Sequence, residues 1–234
     1  MKGFKFQIPG SKGHGGAVAS RPRPGARMRA HASLACLVLA AAIGGCVTVA
    51  QPSPQIRDYR LDYPAPAVAG EPLPVVLSIP TLSVSAAYDR EAIVYREDDY
   101  SIGRYFYHRW TSNPGSLIAD LLERDFGRSG LYRAVQSGRS SLRADYQLLG
   151  VLEEIEERAA EQTCVAHLAL RVQLLRVAAG EGSPVVLQKA YAEDEPCSCG
   201  EPRQLTEAMS NAMARIAAAL QRDVYDAIAS DLRS

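Results

Sequence analysis

Past residue 45 the chain keeps one lysine, Lys189, and two histidines, His108 and His167; the whole sequence has one tryptophan and four phenylalanines. The shortage of lysine weighs against nucleic acid, where phosphate neutralisation supplies most of the affinity. It weighs equally against anionic headgroups held by charge alone. There is no G-x-S-x-G elbow, H-E-x-x-H pair or glycine-rich phosphate loop, so the frameworks of common hydrolases and ATP-driven enzymes are missing. No catalytic residue, metal site or cofactor is expected, and the chain does not read as an enzyme. A long hydrophobic run is missing too: residues 34–46, LACLVLAAAIGGC, fall short of the roughly 20 apolar residues a spanning helix needs.

That short run is nevertheless the strongest signal present. Arg21, Arg23, Arg27 and Arg29 precede it and Gly44-Gly45-Cys46 closes it, the order of a secretory leader. A buried helix with an incidental cysteine is the other reading, but no polar face exists between Leu34 and Gly45. Cys46 in this setting resembles the bacterial lipobox, whose cysteine is acylated and becomes the first residue after cleavage. Diacylglycerol and palmitate on Cys46 would anchor the chain stably, since two or more acyl chains suffice. Residues 1–27 lack apolar periodicity, and Met28-Arg29 would open a leader of ordinary length, so the start is expected to lie too far upstream. The expected organisation is a signal over 1–45, a lipidated cysteine with a Pro/Ser/Gln tether over 46–56, and one domain over 57–234.

Charge changes sign of meaning at that boundary. The first 45 residues hold seven bases and no acid; of 26 bases and 26 acids, the remainder keeps 19 and 26, a formal charge of −7. About 10 tether residues at roughly 3.4 Å each hold the domain within about 35 Å of a bilayer.

Along the domain, residues 56–63, 75–79, 92–96 and 100–110 read as strands from alternation and aromatic content. Asn113-Pro114 opens a helix carrying Leu117, Ile118, Leu121, Leu122 and Phe126, with Gly127 and Gly130 as the stop. A short strand at 131–135 follows, then two longer apolar segments at 142–155 and 163–177. In the second, Cys164, Ala166, Leu168, Leu170, Val172 and Leu174 share one face, with His167, Arg171 and Gln173 on the other. Residues 180–184 make a turn into a returning strand at 185–192. Residues 202–232 form the strongest helix, striped by Leu205, Met209, Met213, Ile216, Leu220, Val224, Ile228 and Leu232. The class is α+β: a mostly antiparallel sheet with two main helices packed on one side. Glu153, Glu154, Glu156 and Glu157 read as a solvated strand end and turn.

Several stretches, in order, resemble the ABC-type transport auxiliary lipoprotein family. They are the lipobox, Tyr59-Arg60-Leu61, a Val-rich strand leading to Leu82, Tyr88-Asp89-Arg90, Ile93-Val94-Tyr95-Arg96, His108-Arg109-Trp110 before the first helix, and the long terminal helix. The chain departs from that pattern at Thr111-Ser112-Asn113-Pro114, which lacks an acid before the proline, and in carrying Cys197-Ser198-Cys199. The resemblance implies a non-enzymatic accessory subunit of a lipid transport system, beside an ABC permease, its ATPase and a mammalian-cell-entry domain protein. It also implies an outer-membrane anchor facing the periplasm, in keeping with Val47 rather than aspartate after Cys46. Partners would be those proteins, the outer membrane and further copies of the chain, with no nucleic acid. The alternative is a structural envelope lipoprotein supporting another outer-membrane assembly without transporting lipid.

Three sets of residues are candidates within the domain. The returning hairpin brings Cys164 opposite residue 198, within reach of Cys197 or Cys199, and an oxidising compartment favours a disulfide with either. The competing reading is a thiolate zinc site completed by His167, disfavoured because His167 and Cys164 lie on opposite strand faces. Arg90, Arg96, Arg109 and Trp110 form a candidate partner-contact set, against the plainer reading of a core tryptophan and solvated arginines. Tyr59, Tyr63, Tyr88, Tyr95, Tyr100, Tyr105 and Tyr107 either line a groove for an acyl chain or are strand-surface aromatics.

Overall fold

The computed structural model describes residues 54–138, 140, 142–160, 163–177 and 184–234. The leader, Cys46, most of the tether and most of the 180–184 turn lie outside the described residues.

Among the described residues, nine strands form one sheet and two helices cover it. The strands are β1 (Arg57–Tyr59), β2 (Leu73–Ile79), β3 (Ser83–Val84), β4 (Ala92–Arg96), β5 (Ile102–Trp110), β6 (Tyr132–Ser137), β7 (Tyr146–Ala160), β8 (Thr163–Arg176) and β9 (Val185–Cys197). The helices are α1 (Pro114–Arg128), between β5 and β6, and α2 (Pro202–Asp231), after β9. β7, β8 and β9 run antiparallel as consecutive hairpin strands, and β4 pairs antiparallel with β5. The short strands join in parallel: β1 to β5, β2 to β6, and β2, β3 and β4 in turn along the free edge of β7. β7 is the spine, with β8 along one edge and three short strands sharing the other. Parallel joints need long crossovers, and the chain between β2 and β6 supplies them.

Alternation sets the two faces. Leu148 and Leu152 of β7 and Ala166, Leu168, Leu170, Val172 and Leu174 of β8 are at most 1% exposed. α2 closes this face with Leu205, Met209, Met213, Ile216, Leu220, Val224 and Ile228. Leu232, expected in that stripe, lies just beyond the helix and is 48% exposed. α1 starts where Asn113 Oδ1 accepts the Gly115 N–H at 3.0 Å with Pro114 at the first helical position. Gly127 is helical, and the exit turn belongs to Gly130 at φ +68°, a conformation glycine adopts without steric penalty.

The glutamate run departs from its reading as a solvated end. β7 continues through it to Ala160, and Glu156 and Glu157 are 1% and 6% exposed. A register shift between Leu152 and Glu154 inserts one residue against β8. Ile155 and Glu157 therefore take over the inner face from Leu148 and Leu152. The first strand is also shorter than expected: only Arg57–Tyr59 is paired, and Leu61 and Tyr63 continue as buried, irregular chain. Tyr63 donates to Asp125 of α1 at 2.8 Å, and Arg124 lies over its ring at 4.6 Å.

Candidate functional site

The outer face of β7 and β8 carries a compact charged network at the end where β4 joins. Parity after the shift places Glu154, Glu156 and Arg158 outward, beside Arg96 of β4, His167 of β8 and Asp194 of β9. Glu156 accepts from Arg96 Nε at 2.7 Å and from Arg158 Nε at 2.6 Å. The Tyr88 hydroxyl donates to its other oxygen at 2.6 Å. Arg158 also pairs with Glu154. His167 lies 3.2 Å from Glu154 through Nε2 and 2.7 Å from Asp194 through Nδ1. Burial, then the Glu156 carboxylate, pushes the Tyr88 hydroxyl up to about 12. Burial and then the neighbouring Arg96 lower Arg158. Both carboxylate oxygens of Glu156 are used, which is what lets it sit at 1% exposure.

On the inner face, at the same end, Cys164 is joined to Cys199 by a disulfide with a Cα–Cα distance of 5.0 Å. Cys197 is the residue directly opposite Cys164 in the ladder, yet it stays free. Directly opposed side chains stand about 4.5–5.5 Å apart at Cβ, beyond the roughly 3.8 Å typical of a disulfide. The turn after β9, with Gly200 at φ +72°, brings Cys199 back over Cys164 instead. The Cys197 thiol is pushed up to about 11 by burial and by Glu157. Glu157 accepts from Tyr105 at 3.1 Å and from the Gly200 N–H at 3.2 Å. With Cys164 and Cys199 bonded to each other and His167 engaged on the far face, the zinc arrangement has no donor set here. Among the described residues no group of three or more metal-ligating side chains is found.

The residues grouped by sequence do not meet in one place. Trp110 is 2% exposed, a core side chain. Arg96 belongs to the charged network. Arg109 is tied to Asp58 at 2.6 Å on the β1 side, with Glu91 3.7 Å away. Arg90 donates to the Ala86 carbonyl at 3.1 Å. The tyrosines divide likewise. Tyr63 and Tyr88 are buried against carboxylates. Tyr95 packs at a tilt against Tyr105, and Tyr59 bonds His108 at 2.9 Å. Only Tyr100 and Tyr107 stand out from the surface, at 98% and 47%. They do not line a common groove. The Glu156 and Glu157 networks escaped sequence reasoning because a one-residue bulge hides the parity of their strand. A surface cleft between Ile79, Pro80 and Thr81 and α1 residues Ser116, Asp120 and Glu123 is open and largely polar.

Comparison with known proteins agrees with this architecture. A Xanthomonas campestris protein of the DUF330 family superposes with a TM-score of 0.65 at 20% identity, over 77% of this chain and 97% of its own. A second solved structure, of an uncharacterised protein, gives 0.57 at 11% identity over 73% and 99%. At these identities the likeness speaks for the fold alone. No curated protein matches. The model of the family described as ABC-type transport auxiliary lipoprotein component matches residues 59–221, from β1 into the second half of α2. The chain therefore belongs to the ABC-type transport auxiliary lipoprotein component family.

Proposed function

We propose that the protein is a lipid-anchored accessory subunit of an ABC-type envelope lipid transport system of the mammalian-cell-entry kind, docking that system to the outer membrane from the periplasmic side. The observation that carries this is the family match across nearly the whole folded domain, behind a leader whose Gly44-Gly45-Cys46 end fits lipidation. The subunit works by binding proteins rather than by chemistry: its buried charges are spent on one another and on tyrosines. Energy for transport comes from the ATPase partner, since this chain carries no phosphate loop. Acyl chains on Cys46 hold an acidic domain that charge alone would not keep at an anionic surface.

In-cell crosslinking of the lipidated protein tests this. Recovery of the cell-entry domain protein or the permease is expected. Recovery of an outer-membrane barrel assembly alone would replace it with the structural reading. Labelled palmitate that fails to enter the wild-type chain, or a Cys46→Ala variant that stays as firmly membrane-bound, would remove the anchor.

A further inference from the structure

The edge strand β5 presents an apolar surface that the fold leaves uncovered. Phe106 is 90% exposed, Tyr100 98%, and Ile102 and Tyr107 each 47%. The cause is a wide register jump. Val94 faces Arg104 and Ala92 faces Arg109, so a single β4 residue, Ile93, spans four residues of β5, 105–108. That bulge thrusts Phe106 outward. On its other side β5 is paired with β1 only at His108, Arg109 and Trp110, which leaves the edge free from Ile102 to Tyr107. Isolated exposed apolar side chains are ordinary; three on one strand with a fourth in the turn before it are not.

The direction of β1 points to what lies against this edge. β1 is parallel to β5, with Arg57 opposite His108. The chain leading back to Cys46 thus leaves the domain two residues, about 7 Å, along β5 from Phe106. Ile56, the residue before β1, is 57% exposed there as well. Pro54 lies eight positions after Cys46, a reach of at most about 29 Å. Acyl chains fixed at Cys46 would therefore keep the bilayer within tether reach of this edge.

We infer that the β5 edge, with Phe106 at its centre and Ile56, Tyr100, Ile102 and Tyr107 around it, is a membrane-seating surface that lies in the headgroup layer of the bilayer in which Cys46 is anchored. This rests on the lipid anchor proposed above. Tyrosine suits that layer because its ring is apolar and its hydroxyl finds water. Arg57 and Arg104, both exposed and flanking the aromatic residues, are placed to meet lipid phosphate. At the β4–β5 tip the Asp98 carboxylate accepts the Tyr100 and Ser101 N–H groups. Glu97 and Asp99 beside it are exposed and set a limit on depth, so the seating is shallow. The result is an orientation: α2 and the disulfide end keep a fixed attitude to the membrane instead of swinging on the tether.

The test is tryptophan quenching in the full lipidated protein, in vesicles of phosphatidylethanolamine and phosphatidylglycerol carrying brominated acyl chains. Phe106→Trp places an indole on the edge, and Val185→Trp places one far from it; the native Trp110 is buried and common to both. Loss of most of the added emission is expected for position 106 and none for position 185. Emission at position 106 that is unchanged by bromine in vesicle-bound protein overturns the inference. Shielding of that indole only after a second protein is added, or by self-association without lipid, assigns the edge to a protein partner and overturns it too. Intact mass of the same sample reads the anchor separately. Acylated Cys46 with no quenching sinks the seating alone; quenching without acylation sinks the anchor alone; neither, with no vesicle binding, sinks both.

Discussion

The two faces of β7 and β8 are built from the same alternation but buried by different means. The inner face is apolar apart from Glu157 and lies under α2, whose stripe from Leu205 to Ile228 is at 0–1% exposure. The outer face has no helix at its β4 end. It is covered instead by its own side chains, with Tyr88, Arg96 and Arg158 closing over Glu156 and His167 held between Glu154 and Asp194. Packing on the inner face is non-directional and tolerates repacking. The outer network works only if every partner is present, because a buried charge left alone is costly.

The largest test of that contrast is on the apolar side. Leu168→Ala, at a site with 0% exposure, is expected to cost about 3–4 kcal/mol in urea denaturation, by transfer and cavity terms together. A loss under about 1 kcal/mol would mean the inner face is loosely packed. Next comes Glu156→Ala, which takes the shared acceptor from Arg96, Arg158 and the Tyr88 hydroxyl and leaves the two arginines only Glu154. About 2–3 kcal/mol is expected, less than the roughly 3–5 of a fully buried pair because the arginines keep water. A double-mutant cycle with Tyr88→Phe should show coupling between the two sites; strict additivity would separate Tyr88 from the network.

A smaller effect separates the faces by pH. The Tyr88 hydroxyl titrates at about 12 in the folded chain against an ordinary 10.0. Its neutral form is thus stabilised on folding. That contribution is complete below pH 10 and is lost as pH rises from 10 toward 12. Denaturation midpoints should fall over that window in the wild type and less steeply in Tyr88→Phe, whereas Leu168→Ala should shift the curve without changing its slope. Last, Arg109→Ala removes a surface pair with Asp58 and should leave the midpoint within error, since exposed ion pairs contribute little. A clear drop there would show that β1 docks through that pair.

Local signals made much of the fold legible. Asn113-Pro114 marked the start of α1, the β8 alternation marked its buried face, and the period of α2 marked its contact stripe. The site was legible only in pieces. Arg96 drew attention as a surface arginine, but its partner Glu156 sat in a run that reads as solvated, because the bulge beside Glu153 inverts which residues face inward. Trp110 is buried, while Arg90, Arg96 and Arg109 turn to separate partners. The cysteines were narrowed to two pairings, and the turn at Gly200 decided for Cys199.

By itself the sequence determined both helices and the longer strands in outline, since alternation, caps and helical period are properties of neighbouring residues. It likewise carried the ordered motifs of the family. Only the tertiary structure decided which face Glu156 occupies, which cysteine meets Cys164, and that β1 starts opposite His108, two residues from Phe106. Each of these depends on register between strands distant in the chain, and one extra residue in a ladder reverses a face without leaving a mark on local composition.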